Sequence, residues 1–340
     1  MTPTDPGHPT SPAPPTPRTL TARLAPLLPT RLVAATARAV YPRFEPELAR
    51  LADLLPPDCG TAVDVGGWYG PWTHRLWKHA REVVTVEPVP HLARLLASAA
   101  PAHARVIPAA ASDRPGTARL WLPPDDEGDR GVSSLVRRDI HARAVHVQCV
   151  TLDGLNLRDV GFIKIDVDGS ELAVLHGATG LLTRDHPALF VELESRIQPI
   201  APVVTYLSLL GYEGWVLPDR NRDWVRLADF PLEKHQARNS YVVSQGLLRR
   251  VLPFARGPRY VNSVLFLPDD RTPGVSPGIR PGVSPGISPG IRPDVSAVRD
   301  DGSHARSEPP RPPLQPPRLP AGPAAPHGGP QPGPGRERPS

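Results

Sequence analysis

Cysteine is nearly missing from this chain: Cys59 and Cys149 are the only two among 340 residues. Two thiols cannot build a disulfide framework, and they stand in no metal-ligand spacing, so a reducing compartment, the cytoplasm, is expected. Long apolar runs are missing as well. No stretch approaches the roughly 20 apolar residues needed to cross a bilayer, and the N-terminus has no charged start leading into an apolar run. Neither a membrane span nor a secretory signal is expected. Lysine is scarce, since 36 of the 39 basic residues are arginine; with abundant alanine and proline this reads as coding bias rather than phosphate recognition. The formal charge of +5 belongs to the flanks, because residues 45–268 hold 25 basic and 26 acidic side chains. A near-neutral middle offers no basic face to nucleic acid.

Proline is what the chain has in excess, at 48 residues. Residues 1–17 are almost all Pro, Thr, Ser, Gly and small residues, too poor in apolar side chains to offset the entropy of ordering, and a disordered tail is expected. From Thr272 to Ser296 runs a six-fold tetrapeptide repeat of the form Pro-Gly-Val-Ser and Pro-Gly-Ile-Arg. Proline every fourth residue forbids helix, and the period is not collagen's. Residues 269–340 are therefore read as a second disordered tail, with Pro-Pro-Arg-Pro-Pro at 309–313 a candidate ligand for proline-recognising domains. Residues 18–58 form an expected helical extension. In it Leu20, Leu24, Leu27, Leu28, Leu32, Val33 and Val40 alternate with arginines, which suits packing on the domain or on a second copy in a homodimer better than a membrane surface, since Pro26 and Pro29 interrupt it.

That leaves 59–268 for one α/β domain. Periodicity and breakers predict strand 61–66, helix 71–80, strand 82–87, helix 89–99, strand 104–109 and a hairpin-like run at 117–122. After a polar loop at 125–129 come strand 161–166, helix 169–178, strand 188–193, helix 200–210, strand 212–217 and a last apolar run at 261–267. Alternation of this kind implies parallel strands with helices on both faces. Residues 219–260 read either as a substrate-covering insertion or as irregular packing.

Val63-Asp64-Val65-Gly66-Gly67-Trp68-Tyr69-Gly70 is a β-branched run entering a glycine turn, and Val83-Val84-Thr85-Val86-Glu87 is a second run ending in an acid. Such a unit presents backbone N–H groups and a helix start to a ligand, with a carboxylate placed for a ribose. Glycines at 66, 67 and 70 do not fit the dinucleotide spacing, which disfavours NAD. The pattern resembles the S-adenosylmethionine pocket of class I methyltransferases. Phe162-Ile163-Lys164-Ile165-Asp166-Val167-Asp168-Gly169-Ser170-Glu171, continuing to Ala178, closely resembles the signature of the FkbM family of methyltransferases. Weaker echoes follow the same order at Ala109 to Asp113, Ser133-Ser134-Leu135, Thr151-Leu152-Asp153, Val191-Glu192 and Leu210-Gly211-Tyr212.

The resemblance covers about residues 60–267 and implies a Rossmann-like class I methyltransferase sheet, mostly parallel, with an antiparallel edge strand. It further implies that S-adenosyl-L-methionine is the cofactor. Gly66, Gly67 and Gly70 would let the backbone approach the methionine moiety, Asp64 would accept near its amino group, and Glu87 would accept from the ribose hydroxyls. Ser112 and Asp113 match the region bordering adenine, although Pro108 stands where the family often has Asn.

In an open α/β sheet, ligands bind at the carboxyl ends of the strands. A neutral hydroxyl acceptor benefits from a general base, for which Asp166 is the first candidate and Glu192, on a neighbouring strand, the second. Lys164 is read as structural, paired with Asp64 or Asp153; Glu171 either stabilises a helix start or contacts substrate. His74, His79, His176 and His186 make no ligand pairs, and no metal is expected, Asp166 with Asp168 being the one conceivable Mg²⁺ pair. The expectation is an O-methyltransferase acting on a hydroxyl of a small molecule or glycan. A nicotinamide oxidoreductase, a nucleic-acid methyltransferase and a non-catalytic interaction protein are the competing classes.

Overall fold

The computed structural model describes residues 30–43, 45–124, 133–219, 222–244 and 259–274. The expected tail at 1–17, the start of the helical extension, the acidic loop at 125–129 and, of the tail expected over 269–340, all but residues 269–274 lie outside the described residues.

Helix α1 (Thr30–Val40) leads through two short 3-10 turns to α2 (Leu51–Leu54). Then come β1 (Thr61–Val65), α3 (Thr73–Leu76), β2 (Glu82–Val86), α4 (Pro90–Ala99) and β3 (Ala104–Ile107). Three strands follow, β4 (Ala110–Ala111), β5 (Gly116–Leu122) and β6 (Arg143–Val150), and then β7 (Val160–Ile165), α5 (Glu171–His176), α6 (Thr179–Asp185), β8 (Ala188–Glu192) and α7 (Ala201–Leu209). The chain continues through β9 (Tyr212–Val216), β10 (Val225–Arg226), α8 (Leu232–Ser244) and β11 (Ser263–Pro268).

Eight strands form one sheet in the order β10-β9-β11-β8-β7-β1-β2-β3. The contacts β3-β2-β1-β7-β8 are all parallel, while β11 runs antiparallel to both β8 and β9. This is the Rossmann-like sheet that the resemblance implies, with one refinement. The final antiparallel strand sits inside the sheet, and the antiparallel edge is the two-residue β10. The central strands are apolar on both faces, as strands covered on both sides must be. Val63, Ile163 and Leu189 share one face with Val174, Leu181 and Val203 of the helices. Ala62, Phe162 and Ala188 face the other way, against Leu48, Leu54, Trp72 and Leu76.

Several expected elements are redrawn. The helix expected at 71–80 contracts to α3, and the helix expected at 169–178 ends at Gly177, with α6 starting afresh. The third strand stops at Ile107 because Pro108 has no N–H to give the ladder, and Ala110 and Ala111 pair instead with β6. The 117–122 run pairs antiparallel with β6, so β4, β6 and β5 make a separate three-stranded sheet. Between 219 and 260, α8 braces two strand ends. Buried Gln236 donates to the carbonyls of Leu193 and Val261 and accepts from the N–H of Ser195. In the extension, Ala34 is buried beside Tyr69 and Leu92, with Val33 and Ala37 packed on the same cluster, which is the packing on the domain that the arginine and proline pattern favours. No described helix is long and apolar enough to cross a membrane.

Candidate active site

Strand order reverses between β1 and β7, and the glycine turn leaves the sheet there. Gly66 and Gly70 adopt φ of 82° and 83°, a conformation costly for any residue with a Cβ. A Cβ on Gly66 would lie 2.0 Å from the carbonyl oxygen of Asp166, so the turn is pressed against the end of β7. Trp68 has φ of 48° although it is not glycine. Its N–H donates to Glu87 Oε2 at 2.8 Å, while Val89 N–H donates to Oε1 at 2.8 Å. Glu87 is therefore buried at the base of the turn.

Asp64 lies fully inside, where it accepts from Thr73 Oγ1 at 2.5 Å and sits 3.7 Å from Lys164 Nζ. Lys164 Nζ also donates to Asp166 Oδ2 and to the Gly66 carbonyl, each at 3.1 Å. Burial works against the ammonium, yet Asp166, Asp64 and Glu45 outweigh it and raise the Lys164 pKa. Of its two expected partners Asp64 is realised. Asp153 is not, being occupied with the N–H groups of Gly180 and Leu181 at the start of α6.

Ile165 pairs with Val191, so Asp166 and Glu192 follow side by side on adjacent parallel strands. Burial, then Asp166 and Asp168, push Glu192 well above the usual carboxylate range. Glu192 also accepts from Asn262 Nδ2. Asp168 takes a φ of 55° and pairs with Arg138 Nη2 at 3.0 Å; burial and then Asp166 lift its pKa to about 7. Glu171 turns back to accept from Gly169 N–H at 3.1 Å and from Gln198, which makes it a brace of the helix start. Asp168, Gly169, Glu171, Glu192 and Glu194 line a crevice beside this cluster.

Gly66, Gly67, Gly70, Asp64, Glu87, Asp166 and Glu192 thus gather at one end of the sheet. Ser112 and Asp113 follow β4 of the smaller sheet, where Ser112 N–H donates to Val150 O and Ser112 Oγ to Asp113 Oδ1 at 3.2 Å. Asp113 is exposed, 3.8 Å from Arg114.

Two side chains absent from the sequence expectations join the cluster from the segment before β1. Tyr41 places its ring 5.7 Å from that of Trp68 and lies within electrostatic reach of Glu45, Asp166, Glu192 and Asp64, which together with burial raise its pKa. Glu45 is buried, accepts from Trp72 Nε1, and is pushed up to about 8 by burial. No local periodicity marks either residue.

The donor set fits S-adenosylmethionine. The glycines of the turn are required by its packing against the Asp166 carbonyl, Thr85, Leu96 and His74, and the carboxylates gathered around it suit a cationic ligand rich in hydroxyls. Each oxygen of Glu87 accepts a backbone N–H, and a carboxylate oxygen can accept more than one hydrogen bond. Among the described residues no group of three or more His, Cys, Asp or Glu could hold a metal ion.

The family model described as Methyltransferase FkbM domain matches residues 58–231. No curated protein gives a significant match. Similar solved structures include an FkbM methyltransferase from Methylobacillus flagellatus KT, 16% identical with a TM-score of 0.36, the match covering 58% of this chain and 61% of that one. The match thus spans less than two thirds of that relative. An rRNA methylase from Streptococcus thermophilus is 9% identical with a TM-score of 0.34, covering 65% of this chain and 93% of that one. M. jannaschii TYW2, solved in complex with AdoMet, is 11% identical with a TM-score of 0.31, covering 66% and 74%.

Proposed function

Because this chain belongs to the FkbM methyltransferase family, we propose that it is an S-adenosylmethionine-dependent O-methyltransferase that acts on a hydroxyl of a small molecule or glycan. The bound cofactor supplies a methyl group activated by a sulfonium. Gly66 to Gly70 would hold its methionine end, with Asp64 buried behind the turn beside Lys164; Glu87 would hold its ribose, and Ser112 with Asp113 would border its adenine. Holding donor and acceptor in line provides much of the rate, since oriented reactions gain about 7 to 11 kcal/mol.

The observation that carries the hydroxyl chemistry is the adjacent pair Asp166 and Glu192. Lys164 fixes Asp166 through Oδ2, whereas Glu192 is driven toward its protonated form. The two carboxyls consequently take different roles. Asp166 would take up the proton of the acceptor hydroxyl, and Glu192 would donate a hydrogen bond that orients the acceptor. Cys59 and Cys149, free and buried, suit work in a reducing cytoplasm.

Methyl transfer from labelled cofactor into fractionated host metabolites tests the reading, with Asp166→Asn as control. Label should enter a hydroxyl-bearing fraction with the native chain and drop by about 10² or more with the variant. Label appearing on nitrogen or carbon acceptors alone would overturn O-methylation.

A further inference from the structure

Residues 30–48 precede the region matched by the family model, yet they meet its glycine turn and the residues that follow the turn at successive points. Ala34 of α1 is buried with Tyr69. One turn on, Arg38 Nη1 meets His74 Nε2, and the Tyr41 ring stands 5.7 Å from Trp68. Glu45 then takes the indole N–H of Trp72. We propose that residues 30–48 are a strap belonging to the methyl-donor site, in which Arg38, acting through His74, is a positioning residue for the turn Gly66 to Gly70. The proposal rests on the cofactor reading above.

The hydrogen-bond chemistry at His74 gives the strap its specific effect. A guanidinium only donates, so the Nε2 facing Arg38 must be the nitrogen with the lone pair, and the ring proton must sit on Nδ1. That Nδ1–H donates to the Gly70 carbonyl at 2.9 Å. Burial and the Arg38 charge both lower the His74 pKa, which keeps the ring neutral; Arg38 is the charged group that faces it. The His74 imidazole packs directly against the Cα of Gly70, since a Cβ there would lie 2.6 Å from Nδ1. Arg38 thereby selects one tautomer, and that tautomer fixes the last peptide of the turn. Above it, Tyr41 packs on Trp68, whose left-handed backbone is pinned from below by Glu87. A turn held from both sides loses less freedom when it binds a nucleoside ligand.

Calorimetry of the full chain with S-adenosylhomocysteine tests this at pH 8 and pH 6. Arg38→Met should bind about ten-fold more weakly at pH 8, as expected for the loss of a charge-assisted contact. It should recover part of that loss at pH 6, because removing the Arg38 charge lifts one of the two causes that lower the His74 pKa, and the imidazolium that then forms more readily at pH 6 than at pH 8 presents Nδ1–H to Gly70 whatever stands at position 38. The native chain should vary little between the two. Arg38→Gln, which retains a donor, should fall between native and Arg38→Met, and it serves as the test variant if Arg38→Met unfolds. Native affinity in Arg38→Met, or an equal loss at both pH values, would overturn the proposal. A native chain that does not bind S-adenosylhomocysteine would overturn the cofactor reading and the strap with it. Normal binding by Glu87→Ala beside weak binding by Arg38→Met would remove only the ribose assignment and support the strap.

Discussion

Glu87 and Trp68 are joined by a 2.8 Å hydrogen bond from the tryptophan N–H to Oε2, so the residue matched to the ribose is also the support of the strained turn. Its two roles make its replacement informative. Glu87→Ala should weaken S-adenosylmethionine binding by about 1.5 to 3 kcal/mol, the range for a hydrogen bond to a charged group. Glu87→Gln keeps one carbonyl acceptor and should recover part of the loss, while NAD should bind neither form. Calorimetry with each ligand checks this, and unchanged affinity in Glu87→Ala would remove the ribose assignment.

Lys164 is a buried cation between Asp64, Asp166 and the Gly66 carbonyl. Lys164→Met should cost about 3 to 5 kcal/mol, because breaking one side of a buried ion pair leaves its partners uncompensated. Burial already raises the Asp64 pKa, so Asp64 protonates readily and the loss should shrink toward pH 5. Denaturant unfolding at pH 7 and pH 5 measures both values.

Glu45 gives the fold a pH dependence of definite sign. Burial pushes its carboxyl up to about 8 in the folded chain, from an ordinary value of about 4.5, so between those values the folded state holds a proton that the unfolded state has released. Stability must therefore fall as pH rises from about 4.5 to 8 and level off above. Glu45→Gln keeps an acceptor for the Trp72 indole, and it should flatten this slope and raise the melting temperature at pH 8.5. A variant that melts lower than native at that pH would contradict the assignment.

Asp166→Asn should retain cofactor binding and lower turnover by about 10² or more, the pattern of an interaction made in the transition state. Glu192→Gln, which keeps a donor, should be milder. Single-turnover kinetics beside calorimetry separate rate from affinity; normal turnover in Asp166→Asn with failure in Glu192→Gln would exchange the two roles.

The main sheet and the glycine turn were legible because their signals are local. A β-branched run, a glycine turn and the strand-to-helix signature around Asp166 each lie within a few residues. Lys164 was readable as a buried cation in need of carboxylates, but which carboxylates depended on the register of β1 against β7. Tyr41, Glu45 and Arg38 escaped because their partners, Trp68, Trp72 and His74, lie 27 to 36 residues away, as the separations of the hydrogen-bonded pairs indicate. The small sheet escaped for another reason. Val145, Val147 and Cys149 of β6 alternate as a strand should, but charged and polar neighbours keep them from forming an apolar run.

The place of β11 between β8 and β9 bears on how the chain is made. A ribosome delivers β9 and β10 before the strand that joins them to the rest of the sheet, so they wait without a hydrogen-bonding neighbour on that side. Their exposed edges are then a liability for pairing with other chains. When β11 enters between β8 and β9 it closes the open edges of both at once.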